Sequence, residues 1–98
     1  QGCAGLAGLW RTIVDRAEPR PPGSYTASLL DEGPDGPARK VLEEAGETAF
    51  AVKDHAAGGD RRRVVEESAD LLYHLLVLLA ERDVDPSEVL AELRYRER

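Results

Sequence analysis

Residues 71–79 constrain the fold more than any other feature, because they would be apolar almost all round a helix. Only His74 and the hydroxyl of Tyr73 interrupt the run. A helix that is apolar on every side must be covered on every side. A chain of 98 residues has few other helices that could cover it. We therefore expect a small helical bundle that a homo-oligomer of the chain completes.

Hydrophobic spacing and capping residues predict an all-α fold of four to five helices. No segment alternates apolar and polar residues as a strand does, and we expect residues 1–98 to form one domain. The first expected helix starts at Leu6 and ends before the proline-rich loop at 18–23, and the second covers 25–30 with Ser24 as its cap. The third covers 37–55 and begins with Pro37, and the fourth covers 61–82 with Asp60 as its cap. A short fifth helix follows the capping signature of Asp85 and Glu88.

Apolar spacing predicts a stripe on the third helix and an inward face on the last one. The residues concerned are Val41, Ala45, Ala49 and Val52 on the third helix, and Val89, Leu90 and Leu93 on the last. Gly46 also lies inside the third helix, where glycine costs about 1 kcal/mol relative to alanine. This cost indicates that another element packs closely at Gly46.

The third helix carries a group of acidic residues at 43–47. At about 100° per residue, Glu44 and Glu47 share a polar arc with Lys40, beside the apolar stripe. Glu43 lies outside this arc and closer to solvent. Lys40 can pair with the carboxylates of its arc or contact a phosphate group.

The fourth helix carries a second acidic group at 66–70, just before the apolar run. Glu67 and Asp70 share one arc with His74, whereas Glu66 is interpreted as solvated. His74 is either a ligand or substrate contact, or a hydrogen-bonded core histidine beside the site. The chain has 19 acidic residues, so a chance cluster of solvated carboxylates is the alternative to a site.

If the third and fourth helices pack antiparallel, four carboxylates face one another. They are Glu44, Glu47, Glu67 and Asp70. Four like charges so close repel strongly unless a cation lies between them. Ligands that are all oxygen suit Mg²⁺ or Mn²⁺. Because Mg²⁺ is bound through a few carboxylates together with substrate phosphates, this pattern favours an enzyme of phosphate-ester or pyrophosphate chemistry.

Composition excludes several other classes of protein. The formal net charge is −6, and a nucleic-acid partner needs a basic surface. No segment is long and apolar enough for a transmembrane helix, so we expect no membrane partner. The one cysteine, Cys3, allows no internal disulfide and fits a reducing compartment.

The acidic residues resemble a known signature. Glu43-Glu44-x-x-Glu47, followed about twenty residues later by Glu67-x-x-Asp70, is similar to the E-E-x-x-E … E-x-x-D pattern of the all-α nucleotide pyrophosphohydrolases, the MazG-like superfamily. Segments 23–30, 39–45 and 69–77 are similar to the phosphoribosyl-ATP pyrophosphohydrolase family, as is the closing Val89-Leu90-x-x-Leu93-x-x-Arg. The resemblance extends from Leu6 to about Arg96.

The resemblance implies a reaction, a cofactor and a set of ligands. The family hydrolyses 1-(5-phosphoribosyl)-ATP to 1-(5-phosphoribosyl)-AMP and pyrophosphate with Mg²⁺, the second step of histidine biosynthesis. It is cytoplasmic and forms homodimers or higher homo-oligomers. Its metal ligands carry over onto Glu44, Glu47, Glu67 and Asp70, with Glu47 or Glu44 as the candidate for activating water. The candidate substrate contacts are Lys40 first, then Arg16, Tyr25 and His74.

Two other functions remain open from the sequence. The first is a housecleaning nucleoside triphosphate pyrophosphatase of the same superfamily, against which the Ser24-Tyr25-Thr26 and Tyr73-His74 segments argue. The second is a non-catalytic helical oligomerisation module. A module without a metal site predicts that Mg²⁺ has no effect on the melting temperature.

Overall fold

The computed structural model describes residues 2–17 and 23–97. These residues form five helices and no strand, which confirms the all-α prediction. In chain order the helices are α1 (Gly2–Ala17), α2 (Tyr25–Asp31), α3 (Asp35–Ala56), α4 (Arg61–Glu81) and α5 (Pro86–Arg96). Most of the loop predicted between the first two helices lies outside the described residues. No helix in the described ranges is long and apolar enough to cross a membrane.

Helices α3 and α4 form an antiparallel pair, the most extensive contact between elements. The chain reverses at Gly58, whose φ of 99° lies in the left-handed region that glycine tolerates best. The N–H of Gly58 donates to the carbonyl of His55, and that of Gly59 donates to the carbonyl of Asp54. Asp60 then caps α4 as predicted, accepting from the N–H of Arg62 at 2.8 Å. This tight turn brings the acidic segments of the two helices side by side.

The start of α3 differs from the prediction, because the helix begins at Asp35 and Pro37 is its third residue rather than its first. The first intrahelical bond runs from the N–H of Ala38 to the carbonyl of Pro34. The N–H groups of a helical first turn have no acceptor within the helix, so a proline is tolerated at any of those positions. Pro37 therefore marks the first turn without fixing the first residue.

The core lies where α1 and α2 pack against α4. Its buried apolar residues are Ile13, Leu29, Leu30, Leu76 and Val77, with partly buried side chains including Trp10 and Tyr73 packed around them. Ser24 caps α2 as predicted, accepting from the N–H of Ala27. The capped short helix thereby places Tyr25 and Thr26 against α4.

The apolar stripe expected on α3 faces mostly outward. Ala45, Ala49 and Val52 are exposed, and only Val41 is partly buried. The buried edge of α3 instead contains Glu44 and Ala51, because this is the edge that faces α4. The side opposite, which we call the outer face of α3, presents Leu42, Ala45, Gly46, Ala49 and Phe50 to solvent.

The prediction that Val89, Leu90 and Leu93 point inward is wrong for the single chain. All three are exposed, and α5 has no buried residue. Val89 and Leu90 line one side of an apolar groove of about 630 Å³ between α5, α1 and α4. Their spacing identified the apolar side of α5 correctly, but α5 does not close onto the core.

Candidate metal centre

Three carboxylates from the two paired helices converge. Glu44 of α3 and Glu67 and Asp70 of α4 each place an oxygen within 4.8 Å of the others. Glu44 is only 6 % exposed, and among the described residues neither its Oε1 nor Oε1 of Glu67 has a hydrogen-bond donor. A buried carboxylate oxygen without a partner is costly, so these atoms fit a site for a bound cation.

Glu47 borders this group without being one of the three convergent ligands. Burial is the main cause that raises the pKa of Glu44, followed by the charges of Glu47 and Asp70. A hydrogen bond with Glu47 is the main cause that raises the pKa of Glu67. Such a bond needs a proton on one of the two carboxyl groups, and Glu67 Oε1 has no donor when both are ionised. Either a proton on one carboxyl group or a bound cation must therefore offset the repulsion among these carboxylates.

The donor set suits a hard divalent cation. Each of the three convergent residues offers a carboxylate oxygen, and no histidine or cysteine belongs to the group among the described residues. Oxygen-only donors select Mg²⁺ or Mn²⁺ over the softer transition metals. Glu47 is exposed at the rim, where its carboxylate can serve either as a fourth ligand or as a base.

Lys40 provides a positive charge at the edge of the carboxylates. Its Nζ lies 3.3 Å from Oε1 of Glu43 and 3.8 Å from Oε2 of Glu44. The hydrogen bond to Glu43 is the main cause that raises the pKa of Lys40, so the side chain carries its charge at neutral pH. A flexible ammonium group in this position can contact a phosphate group without leaving the site.

A cluster of polar aromatic residues joins α2 to α4 beside the carboxylates. The hydroxyl of Tyr25 lies 2.8 Å from Nε2 of His74. Nδ1 of the same ring lies 2.8 Å from the backbone carbonyl of Asp70. The ring of Tyr25 stacks on that of Tyr73 at 6.1 Å between centroids, and the hydroxyls of Tyr73 and Thr26 are hydrogen-bonded.

Electrostatics connect Tyr25 to the carboxylates. Burial is the main cause that raises the pKa of its phenol; the charge of Lys40 lowers it, and those of Glu44 and Asp70 raise it. The phenol is therefore within electrostatic range of both the acidic group and Lys40. The cluster lies next to the candidate metal centre.

The structure brings most of the predicted site residues together. Glu47, Lys40, Tyr25 and His74 surround the three convergent carboxylates. Glu43 and Glu66 are exposed and pair with Lys40 and Arg62, as expected of solvated residues. Arg16 lies on the exposed last turn of α1, and no hydrogen bond or ion pair among the described residues links it to the group.

Sequence reasoning missed Thr26 and Tyr73 as parts of this site. Each is the immediate neighbour of a residue that was predicted, Thr26 of Tyr25 and Tyr73 of His74. The two neighbours pair with each other just as the two predicted residues do. The signal in the sequence was two adjacent polar residues on each of two helices. Only the packing of α2 on α4 shows that the residues of one helix pair with those of the other.

Known proteins resemble this chain over most of its length. The family model for phosphoribosyl-ATP pyrophosphohydrolase matches residues 6–97. A phosphoribosyl-ATP pyrophosphatase of Methylobacterium nodulans is 50% identical over 91 residues, which cover 93% of this chain and 81% of that protein. One of Dinoroseobacter shibae is 50% identical over 92 residues, covering 94% and 86%.

A third relative is similar over most of its length. A phosphoribosyl-ATP pyrophosphatase of Saccharolobus islandicus is 44% identical over 88 residues, which cover 90% of this chain and 89% of that protein. The matched range includes every acidic residue of the candidate metal centre, since they lie between residues 44 and 70. The chain belongs to the phosphoribosyl-ATP pyrophosphohydrolase family.

Proposed function

We propose that this chain hydrolyses 1-(5-phosphoribosyl)-ATP to 1-(5-phosphoribosyl)-AMP and pyrophosphate, the second step of histidine biosynthesis. The observation that carries the proposal is the convergence of Glu44, Glu67 and Asp70 in a chain matched to this family over residues 6–97. Cleavage between the α- and β-phosphates concentrates negative charge on the phosphate oxygens. A partly buried group of carboxylates that holds a divalent cation suits this chemistry.

The proposed cofactor is Mg²⁺, with Mn²⁺ as a possible substitute. Glu44, Glu67 and Asp70 would hold the ion, and Glu47 would complete the carboxylate set from the rim. When bound, the ion neutralises phosphate oxygens and lowers the pKa of an attacking water. The unpartnered oxygens of Glu44 and Glu67 support this assignment.

The proton of the attacking water goes to a carboxylate of the same group. Glu47 is our first choice, because it is exposed at the rim and lies beside Glu67. Glu44 is the second candidate, because its buried carboxylate belongs to the same convergent group.

Four residues are proposed to take part in substrate binding, three by direct contact and His74 from beside them, and they differ in how well the structure supports them. Lys40 is the first choice for a phosphate contact, since its Nζ borders Glu44. Tyr25 lies in electrostatic range of the same carboxylate, and the ring of His74 is hydrogen-bonded to the hydroxyl of Tyr25. Arg16 has the weakest support, because it contributes only an exposed cation at the end of α1.

We further propose a cytoplasmic homodimer, or a higher homo-oligomer, with neither nucleic acid nor a membrane as a partner. The outer face of α3 supports this assembly, since it is apolar and exposed in the single chain. Apart from the glycine, its chain neighbours and the adjacent backbone of α3, no described atom lies within 4 Å of the place where a Cβ on Gly46 would stand. The close packing expected at this glycine is therefore assigned to a second copy.

Incubation with phosphoribosyl-ATP and Mg²⁺ should release pyrophosphate. Glu47→Gln should reduce the release at least a hundredfold, because general-base groups contribute roughly 10²–10⁴-fold to rate. Glu43→Gln is the matched control: it removes the neighbouring exposed carboxylate and should retain activity. Circular dichroism should show both variants folded, and full activity in folded Glu47→Gln would exclude Glu47 as the base.

The same preparation separates the other two functions. A side-by-side panel of phosphoribosyl-ATP and free nucleoside triphosphates should show preference for phosphoribosyl-ATP; the reverse preference would indicate a housecleaning pyrophosphatase. A thermal scan with and without Mg²⁺ should show stabilisation, because a ligand of the folded state raises its stability. No shift together with no activity would indicate a non-catalytic module.

A further inference from the structure

Both ring nitrogens of His74 are used within the protein. The side chain is buried, at 5 % exposed. Its Nδ1 lies 2.8 Å from the backbone carbonyl of Asp70. A carbonyl oxygen can only accept a hydrogen bond, so Nδ1 must carry the proton and donate it.

The proton on Nδ1 determines the direction of the next hydrogen bond. In a neutral imidazole with Nδ1 protonated, Nε2 has a bare lone pair and can only accept. In that form the hydroxyl of Tyr25, 2.8 Å from Nε2, donates its single hydrogen to His74. The phenolic oxygen of Tyr25 is left with lone pairs alone for any other partner.

Packing holds this phenol in place while leaving it accessible. The ring of Tyr25 stacks on Tyr73 with 20° between the planes. It meets the edge of His74 at 89° with 5.8 Å between centroids. Tyr25 is nevertheless 51 % exposed as a whole residue, so part of its surface is open to a ligand bound at the carboxylates. An oxygen that offers only lone pairs attracts a hydrogen-bond donor and repels a phosphate oxygen.

We infer that His74 is a positioning residue that makes the Tyr25 hydroxyl an obligate acceptor for a hydroxyl or amino group of the substrate's sugar or base. This inference rests on the proposed function, in which the ligand is a phosphoribosyl nucleotide. Three residues then have different roles at the site. Lys40 contacts phosphate, Tyr25 accepts a hydrogen bond from a donor on the nucleoside part, and His74 acts only through Tyr25.

The arrangement of protons can be tested without any substrate. Long-range ¹H–¹⁵N spectra of the histidine-labelled protein report which ring nitrogen carries hydrogen. The chain has two histidines, and His55→Gln removes the exposed one, so the remaining signals belong to His74. We expect one protonated nitrogen, Nδ1, and a bare Nε2 whose resonance moves in Tyr25→Phe. A proton on Nε2, alone or together with one on Nδ1, would overturn the inference.

Kinetics test whether His74 acts through Tyr25. Tyr25→Phe keeps the stacked ring and removes the hydroxyl, and should raise KM roughly tenfold with little change in kcat, as loss of one hydrogen bond does. His74→Leu should cost about the same, and the double variant no more than either single one. His74→Gln retains an acceptor and should recover most of the loss. Additive losses, or no recovery by glutamine, would contradict a positioning role.

Inorganic pyrophosphate distinguishes the donor contact from a phosphate contact. As a competitive inhibitor it should bind the Tyr25→Phe variant as well as the wild type, and bind Lys40→Ala more weakly. Equal weakening in both variants would refute the assignment of Tyr25 to the nucleoside part.

The proposed function and the inference about His74 are contradicted by different results. If the wild type releases no pyrophosphate from phosphoribosyl-ATP, the proposed function fails, while the histidine spectra still decide the tautomer of His74. If the wild type is active and the losses add, the proposed function stands and the inference is wrong.

Discussion

Glu44 shows how one residue connects the fold to the proposed chemistry. It lies on the edge of α3 that packs against α4, a position that usually takes an apolar side chain. A buried carboxylate near two others destabilises the fold in the absence of a cation. The sequence therefore gives up some stability of the metal-free chain to keep a charged group at this position.

Glu44→Gln should raise the melting temperature of the metal-free protein by a few degrees and abolish its stabilisation by Mg²⁺. The pKa of Glu44 is raised in the folded state. The wild type therefore has its full protonation-linked stability below the unfolded pKa and loses it as the pH rises through the folded pKa. The advantage of the glutamine variant should grow over the same pH range. Thermal melts in chelator and in Mg²⁺, across pH, measure both effects.

Glu43→Gln is the matched control for that experiment. Glu43 is one residue away, and its side chain is exposed beside Lys40. We expect it to change neither the metal-free melting temperature by more than about a degree nor the response to Mg²⁺, as for most surface substitutions. If both variants lose the response to Mg²⁺, the ion is attracted by overall charge, and Glu44 is not a specific ligand.

The residues of the acidic group were predictable because they depend on local geometry. Spacings of three within a helix place Glu44 beside Glu47 and Glu67 beside Asp70, and the short turn at Gly58 brings the two pairs together. Their roles within the group were not equally predictable. Whether Glu47 converges with the others or stays at the rim depends on how far the paired helices rotate, which spacing alone does not fix.

At the scale of elements, α2 is the shortest helix and carries the aromatic part of the site. It contributes both Tyr25 and Thr26, which bond to α4. A helix this short has little stability of its own. Its N-cap and its docking on α4 must therefore hold it together.

Ser24→Ala should reduce the free energy of unfolding by about 1 kcal/mol, because it removes the side chain that accepts from the N–H of Ala27. For a domain of this size, that loss lowers the melting temperature by about 4–8 °C. Ser28→Ala is the control on the same helix, since Ser28 is exposed and should be close to neutral. Denaturant unfolding of the two variants compares them directly. Equal stability would show that docking alone holds α2.

The N-cap of α5 should produce a different pH dependence. Asp85 accepts from the N–H of Ser87 at 2.8 Å, and this bond is the main cause that lowers its pKa. A lowered folded pKa contributes stability that is present above the unfolded pKa and is lost as the pH falls through the folded one. Asp85→Asn keeps a capping group without the charge.

The melting temperature of the wild type minus that of Asp85→Asn should therefore fall as the pH is lowered through the acid range. Asp85→Ala removes the side-chain part of the cap and should be less stable than the wild type at neutral pH. A constant difference between wild type and the asparagine variant across this range would show that the charge of Asp85 contributes nothing to the cap.

The helices and their caps were predicted better than the sides of the helices that are buried. Ser24, Asp60 and Asp85 each cap the helix expected after them, because capping depends on residues within one turn. The outward direction of Ala49 and the exposure of Leu90 were not predictable from spacing. Periodicity identifies an apolar side of a helix, but not whether the same chain or another copy covers it.

At the scale of the whole molecule, the described residues of the single chain leave two apolar surfaces open. One is the outer face of α3, and the other is the groove of about 630 Å³ between α1, α4 and α5. Exposed apolar surfaces of this kind mark interaction sites. The expected covering of residues 71–79 is thus incomplete in the single chain, where Leu72 remains half exposed.

We expect the interface of the proposed homodimer to lie on the outer face of α3. Leu42 on that face is 75 % exposed, and the open space at Gly46 allows the backbone of another helix to approach closely. Leu42→Glu should place an unpaired charge in the interface and weaken association by a hundredfold or more, since such a charge costs about 3 kcal/mol or more. Light scattering should then report 10.7 kDa for the variant, and twice that mass for the wild type.

Leu90→Glu provides the matched control, because it makes the same change at a leucine of the groove that is 46 % exposed. If the interface lies on α3, this variant remains a dimer at concentrations where Leu42→Glu is monomeric. Dissociation by Leu90→Glu alone would show that the interface lies in the groove. Dissociation by each of the two variants would show that a higher homo-oligomer uses both surfaces. A monomeric wild type at micromolar concentration would contradict the proposed assembly itself. The stabilisation by Mg²⁺, measured on the same samples, then shows whether the acidic group needs the second copy to bind its ion.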